Sequence, residues 1–361
     1  MNSVTDPIKV LSIETTCDET GAAVLEGIAS ETAAPPRVLS NVVATQIKLH
    51  EPFGGVVPEI AARAHLTVLL PTIDEALRRA EVGFGDLGAL AVATRPGLVG
   101  SLLVGLTAAK TMAMALRRPL VTFDHLEGHL YACQLAHPSE PVYPCVGLVV
   151  SGGHTHLYRC ESPLRCELLG GTTDDAAGEA FDKVASLLEL GFPGGPALER
   201  AAQGGNPRAF RLPRSYLKDD RLEFSFSGLK TAVLYLLRDQ ASIRTDAGWP
   251  IDFVGNVAAS VQQAIVDVLI AKCRLALHKT GLKRLCVGGG VTANQSFRAA
   301  LAALAGAESA SVFIPPMEWC TDNAALGGIA FAKLAAGQTA ALDIDVQAGL
   351  VRPGRLTGGS P

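Results

Sequence analysis

Two histidines four residues apart, His125 and His129 in the run His125-Leu126-Glu127-Gly128-His129, hold the plainest chemistry in the chain. On a helix that spacing turns through about 400°, so both imidazoles leave one face and can converge on a borderline cation such as zinc or iron. Glu127 points to the opposite side, unlike the Glu of the H-E-x-x-H peptidase helix, which follows the first His directly. A merely polar helix face is the other reading of the pair. A carboxylate from far along the chain, Asp322 in Trp319-Cys320-Thr321-Asp322-Asn323-Ala324-Ala325, is a natural helix cap. If the two halves of the chain close on each other, it also completes a His, His, Asp set.

A second kind of residue cradles rather than ligates. Ser151-Gly152-Gly153-His154-Thr155 is a turn between strand patterns, where glycines let backbone N–H groups approach an anion. Gly288-Gly289-Gly290-Val291-Thr292-Ala293-Asn294 ends a strand and opens a helix, and Asn294 offers both a donor and an acceptor. This is not the G-x-G-x-x-G dinucleotide fingerprint, but a base or ribose contact fits it, with a tight turn as the alternative. Glu179, Asp182 and Glu199 are carboxylates that could hold ribose hydroxyls or serve only as surface charges.

The elements that must position these groups follow from periodicity. Val10–Glu14 and Ala22–Leu25 read as a hairpin with a hydroxyl-rich tip, and Val38–Ala44 as a third strand. Helix 59–79, strand 87–93, helix 97–116 and strand 120–123 follow, and the last delivers the histidine helix at its C-terminal end, where α/β folds place ligands. After the Pro-bounded link 137–144 the pattern restarts with strand 146–150, a small polar turn and strand 156–160. Helices are expected over 174–190, from 197, after Phe224–Lys230, over 258–278 and from 295, with strand 284–287 among them. The economical inference is two α/β domains of like topology: 8–136, joined by a C-terminal helix 323–337, and 145–322, with a tail at 338–361.

The 361 residues are 48% hydrophobic, enough for two cores. A formal net charge of -4 argues against wrapping nucleic acid through overall charge, yet Arg208, Arg211, Arg214, Lys218, Arg221, Lys230 and Arg238 form a locally basic stretch. Asp6 and Pro7 stand where a signal peptide needs an apolar core, and the apolar window 98–116 contains Lys110. A cytoplasmic protein with no membrane span is therefore expected. Eight scattered cysteines form no C-x-x-C pair and read as reduced thiols.

Taken in order, the motifs resemble those of the bacterial tRNA N6-adenosine threonylcarbamoyltransferases, the TsaD family. The carriers are Ser12-Ile13-Glu14-Thr15-Thr16-Cys17-Asp18-Glu19-Thr20, Gly54-Gly55-Val56-Val57-Pro58-Glu59, the His125–His129 run, Ser151–Thr155, Asp174–Lys183, Pro193-Gly194-Gly195-Pro196, Phe224–Lys230, Gly288–Asn294 and Thr321–Ala324. The resemblance implies the actin-like ATPase fold (sugar kinase, Hsp70, actin), two duplicated α/β domains with an interdomain cleft. It implies a metal on His125, His129 and Asp322, Fe2+ before Zn2+, and substrate contacts from Val149, Val150, Ser151, Gly152, Gly153, Asp182, Gly195, Asn294 and Glu199. The implied reaction moves threonylcarbamoyl from threonylcarbamoyl-AMP to N6 of the adenosine beside the anticodon, in tRNAs reading codons that start with A. Implied partners are tRNA, a TsaB-like paralogue and a TsaE-like ATPase, with self-association when the chain is alone. Asp124 and Arg95 depart from the family pattern, and the tyrosine ligand of archaeal relatives has no counterpart in strand 146–150. A carbamoyltransferase acting on a small-molecule hydroxyl and a metallopeptidase are the competing readings. His154, close to the glycine turn, is a candidate base or a structural hydrogen-bond partner.

Overall fold

The computed structural model describes residues 6–30, 33–217, 219–246 and 248–349; Lys218 and the end of the tail, 350–361, lie outside them. The chain divides into two compact units. Unit 1 runs to Tyr143, takes in Glu161–Cys166 and resumes at Ile314; unit 2 holds Pro144–Cys160 and Glu167–Phe313.

Unit 1 opens with β1 (Ile8–Glu14), β2 (Glu19–Gly27) and β3 (Arg37–Thr45), then the single turn α1 (Ile47–His50) and the long α2 (Pro58–Ala80). β4 (Leu87–Arg95), α3 (Val99–Leu116), β5 (Leu120–Asp124) and α4 (His125–Ala136) follow. The sheet order is β3-β2-β1-β4-β5, antiparallel across β1/β2 and β2/β3 and parallel across β1/β4 and β4/β5. Alternation along each strand sorts the side chains between two apolar layers. Leu11, Ile13, Leu90 and Val92 meet Leu69, Ile73, Leu106 and Ala109 of α2 and α3. Val10, Ala91, Val121 and Phe123 meet Tyr131, Leu135, Ile329 and Phe331 on the other face.

Unit 2 repeats the plan. β6 (Cys145–Val150) pairs antiparallel with β7 (Thr155–Ser162), and β8 (Arg165–Gly171), which sequence periodicity did not reveal, lies beyond it. α5 (Ala177–Leu187), α6 (Gly194–Ala202), α7 (Ser227–Asp239) and α8 (Ile251–Thr280) lead to β9 (Arg284–Gly288), α9 (Gln295–Glu308) and β10 (Ser311–Phe313). The order β10-β9-β6-β7-β8, with β9 parallel to β6 and to β10, is the order of unit 1 read from the other edge.

The chain then re-enters unit 1 through α10 (Met317–Cys320) and α11 (Ala330–Ala335). Re-entry comes at Ile314 rather than at the expected 323, because Cys320 and Leu326 are buried and Leu326 joins the apolar layer of Phe123. The described part of the tail also packs on unit 1: the Ala340 amide donates to the Leu120 carbonyl at 2.7 Å, and Ile344 and Val346 lie against the α2/α3 layer.

Some helix bounds differ from expectation. α5 starts at Ala177, not Asp174, because the Asp174 carboxylate instead accepts from the Phe226 and Ser227 amides and the hydroxyls of Ser225 and Ser227, tying down the start of α7. Two helices, α3 and α8, are long and apolar enough to cross a membrane, with mean hydropathy 1.5 each. Both have partners inside the protein: Leu102, Leu106 and Ala109 of α3 lie against the sheet of unit 1, and α8 is largely buried in unit 2. All eight cysteines are free thiols, and all but Cys17 and Cys166 are buried.

Candidate metal centre and glycine cradle

β5 ends at the point where α4 must begin, and Asp124 makes the junction. Its Oδ1 accepts from the amides of Leu126 (2.8 Å) and Glu127 (3.3 Å), an N-cap that sets the helix phase and turns His125 and His129 to one side. The other oxygen of Asp124 meets Arg95 Nε at 3.1 Å. The two departures from the family pattern are therefore partners of each other. Arg95 also donates to Gln347 Oε1. Gly97, in the same turn, lies so close to the turn between β1 and β2 that a Cβ there would come within 2.6 Å of the Thr16 carbonyl.

His125 and His129 are buried, with ring centroids 4.6 Å apart and planes near perpendicular. Asp322 Oδ1 lies 3.3 Å from His125 Nε2 and 3.2 Å from His129 Nε2, and the three ligand atoms all lie within 4.8 Å of one another. Ligands about 2.1 Å from a tetrahedral ion stand about 3.4 Å apart, so the two nitrogen-to-oxygen edges already have the required length. The expected role of Asp322 as a helix cap is not the one it has. Asn323 Oδ1 caps the following turn by accepting from the Ala325 amide, which frees Asp322 to face the histidines. All three groups belong to unit 1, so closing the set does not require the two halves of the chain to meet, contrary to the expectation from sequence.

The electrostatics call for a cation. Burial opposes a charged His125, but Asp322 and Glu14 beside it outweigh burial and hold the imidazole well above its usual range. His129 is pushed down, first by burial and then by His125. Asp322 is partly buried, which raises it, yet the two histidines hold it well below the usual carboxylate range. The N, N, O donor set suits zinc and iron alike, and the residues fit such an ion.

Sequence reasoning missed one contributor. Glu14, wholly buried at the end of β1, accepts from the Thr16 amide at 2.8 Å and faces His125 Nδ1 at 3.2 Å. A carboxylate behind a metal-ligating imidazole fixes its tautomer and directs the other nitrogen to the ion. The available signal was an acid closing a buried apolar strand, since a buried charge needs a partner. Glu127, by contrast, has Asp124, Lys333 and Arg95 as its charged neighbours, which leaves it without the position of a peptidase base.

The remaining candidates gather in unit 2. Val149 and Val150 are buried in β6 and deliver Ser151, Gly152 and Gly153 to the hairpin tip. The carbonyls of Ser151 and Gly152 accept from the amides of Gly178 and Glu179, pinning the tip to the start of α5. Open space lies where side chains at Gly152 and Gly153 would go, and their amides have no hydrogen-bond acceptor among the described residues. Asp182 Oδ1 accepts from the Gly194 amide at 2.8 Å, and the position beside it, Gly195, is also open. Glu199 Oε1 accepts from the Gln295 amide at 2.7 Å, linking α6 to α9. Asn294 caps α9 through Phe297 N and donates to Gln262 Oε1, so its amide organises the loop. Gly289 adopts φ 97°, where only glycine is unstrained, and a Cβ there would meet the Val150 carbonyl at 2.3 Å. The tip, α5, α6 and the 289–294 turn thus form one chain of contacts. His154 sits beside His156, ring centroids 5.8 Å apart.

A twice-repeated five-stranded sheet of this order, with an open glycine tip in one copy and a His, His, Asp cluster in the other, defines an actin-like ATPase-fold protein carrying a candidate metal centre. The solved structures agree on the fold: HypF from T. kodakarensis superposes with TM-score 0.57 at 12% identity, covering 93% of this chain and 49% of that one. Component A of the Acidaminococcus fermentans (R)-2-hydroxyglutaryl-CoA dehydratase gives TM-score 0.52 at 15% identity, covering 91% of this chain and 99% of that one. The particular family is given by sequence. The TsaD model, tRNA N6-adenosine threonylcarbamoyltransferase, matches residues 37–328, and the chain belongs to that family. The tRNA N6-adenosine threonylcarbamoyltransferase of Rhodopirellula baltica is 50% identical, covering 95% of this chain and 97% of its own, and that of Syntrophotalea carbinolica is 47% identical, covering 94% and 95%.

Proposed function

We infer that this chain transfers the threonylcarbamoyl group of threonylcarbamoyl-AMP to N6 of the adenosine beside the anticodon of tRNA. Family membership over nearly the whole chain carries the reaction. The convergence of His125, His129 and Asp322 is the observation that supports a metal in it. In the reaction N6 attacks the carbamoyl carbon, the bond from that carbon to the phosphate oxygen breaks, AMP leaves and N6 gives up a proton. A divalent metal on the three side chains, iron before zinc on the family resemblance, would supply Lewis-acid polarisation of a carbamoyl or phosphate oxygen.

The protein's own part is positioning. Glu14 holds the His125 ring, and Asp124 fixes the phase of the helix that carries both imidazoles. Gly152 and Gly153 offer amide donors for a phosphate or developing oxyanion, with Val149, Val150 and Ser151 as their support. Asp182, Gly195, Glu199 and Asn294 surround the nucleotide part of the substrate in this reading. An aromatic amine is a weak nucleophile, so orientation and a good leaving group supply much of the rate.

The partners belong to the same proposal: a smaller TsaB-like paralogue, a TsaE-like ATPase, and self-association in their absence, in the cytoplasm. Exposed Leu66 and Leu70 on α2, with Val99 and Leu103 on α3, support a protein partner on unit 1. The test is reconstitution with partner proteins, synthase, ATP, threonine, bicarbonate and unmodified tRNA, followed by digestion to nucleosides. Threonylcarbamoyladenosine is expected from the wild type and a loss of about 1,000-fold from His125→Ala. No product from the complete mixture overturns the transferase, and an unchanged yield from His125→Ala overturns the metal's part in it.

A further inference from the structure

We propose that the segment between α6 and α7, where it crosses α8, is the surface of unit 2 that grips single-stranded RNA of the tRNA substrate. The proposal rests on the transferase reading for the identity of the RNA.

The segment is long and irregular. Between Ala202 and Ser227 its described residues form no helix and only an isolated bridge at Phe224, and connections of that length in compact domains usually have a task. It is held in place from below. The Asn206 amide donates to Asn256 Oδ1 and the Phe210 amide to Ser260 Oγ, both on α8, while Gly205 packs so tightly that a Cβ would meet the Gly255 carbonyl at 2.2 Å. Gln262, two residues beyond Ser260 on α8, is the partner of Asn294, so one helix carries both this segment and the turn assigned to the nucleotide.

Its upper side combines cations with aromatic faces. Residues 203–217 contain three arginines and no acid, in a chain whose net charge is -4. Arg214 is neutralised by Asp267 at 2.7 Å, whereas exposed Arg208 and Arg211 have no carboxylate partner among the described residues. Between them Phe210 meets Phe253 edge-on, with centroids 5.6 Å apart, and Trp249 lies 5.3 Å beyond Phe253. Phe210, Phe253 and Trp249 all remain partly exposed. Exposed guanidinium groups on either side of a partly exposed ring match a strand of RNA, with phosphates on the cations and an unstacked base on a ring face. An anticodon loop presents such bases.

The experiment is fluorescence anisotropy of the full-length protein with an unmodified tRNA transcript over a series of salt concentrations. The exposed double variant Arg208→Glu with Arg211→Glu is expected to bind at least about tenfold more weakly, with a salt slope shallower by about 1.4 for two lost phosphate contacts on a single strand. Phe210→Leu keeps apolar bulk against Phe253 but removes the π-face, and is expected to weaken binding about tenfold at an unchanged slope. Arg214→Ala, its charge already engaged, serves as the near-neutral comparison. Melting curves report folding for each, and if Phe210→Leu unfolds, the surface double variant still decides. Wild-type affinity and slope in the folded double variant overturn the surface. A wild type that binds the transcript yet transfers nothing overturns the transferase reading and leaves the surface standing.

Discussion

The two units share a strand order and part company at the tip of their first hairpin. In unit 1 the tip is filled: Thr15 Oγ1 donates to the Ser101 carbonyl, the Thr16 carbonyl accepts from the Leu98 amide, and Glu14 folds back on Thr16 and His125. In unit 2 the corresponding tip is Gly152-Gly153, with open space where side chains would be. Both tips are pressed by a glycine that follows the neighbouring parallel strand, Gly97 in one unit and Gly289 in the other. One backbone plan therefore supports two kinds of candidate site. Where side chains fill the tip, they brace an imidazole against a carboxylate; where glycines leave it bare, the amides of Gly152 and Gly153 have no acceptor among the described residues. The topology locates both candidate sites, and the side chains decide what each could hold.

That contrast can be broken first at Glu14. Glu14→Gln keeps an oxygen for the Thr16 amide but removes the negative charge beside His125 Nδ1. Metal affinity, measured by competition with a chromophoric chelator, is expected to fall about 10–100-fold with little change in the melting curve. Unchanged affinity would remove Glu14 from the centre. In unit 2 the comparison sharpens with paired glycines. Gly178→Ala places a Cβ 2.6 Å from the Ser151 carbonyl, so it must shift the tip and is expected to raise KM for the adenylate about tenfold. Gly152→Ala meets nothing and is expected to change stability by less than about 0.5 kcal/mol. Equal KM values for wild type and Gly178→Ala would show that the tip is not the cradle.

A further contrast lies at Glu19 on β2, pushed up to about 7, chiefly by burial. An acid whose folded value lies above its unfolded one binds more protons when folded. Its contribution is present below about pH 4.5 and is lost as pH rises towards 7. Wild type should therefore lose more stability than Glu19→Gln between pH 5 and 8 in denaturant titrations, and parallel pH profiles would refute the assignment.

Much of this was legible because local pattern and tertiary demand agree. Alternating apolar strands, the restart after residue 144 and the glycine turns gave the duplicated fold, and four-residue spacing put both imidazoles on one face. Helix ends were less legible where a side chain has a distant partner. Asp174 looks like the start of a helix and instead ties down α7, and α8 begins at Ile251, well before its most apolar stretch. The basic stretch shows the same limit, since only the fold tells which arginines are spent on Asp267 or another acid and which are free.

The sequence by itself determined the two α/β units, the face shared by His125 and His129, and the family, because these depend on periodicity, spacing and the order of motifs. Tertiary structure alone decided that Asp322 stands in the same unit as the histidines, that Glu14 backs one of them, and that Arg95 and Asp124 answer each other. Such contacts join residues separated by 29 to 197 positions. No local pattern encodes a distance of that kind; it is set only when the core closes and every buried charge must find a partner.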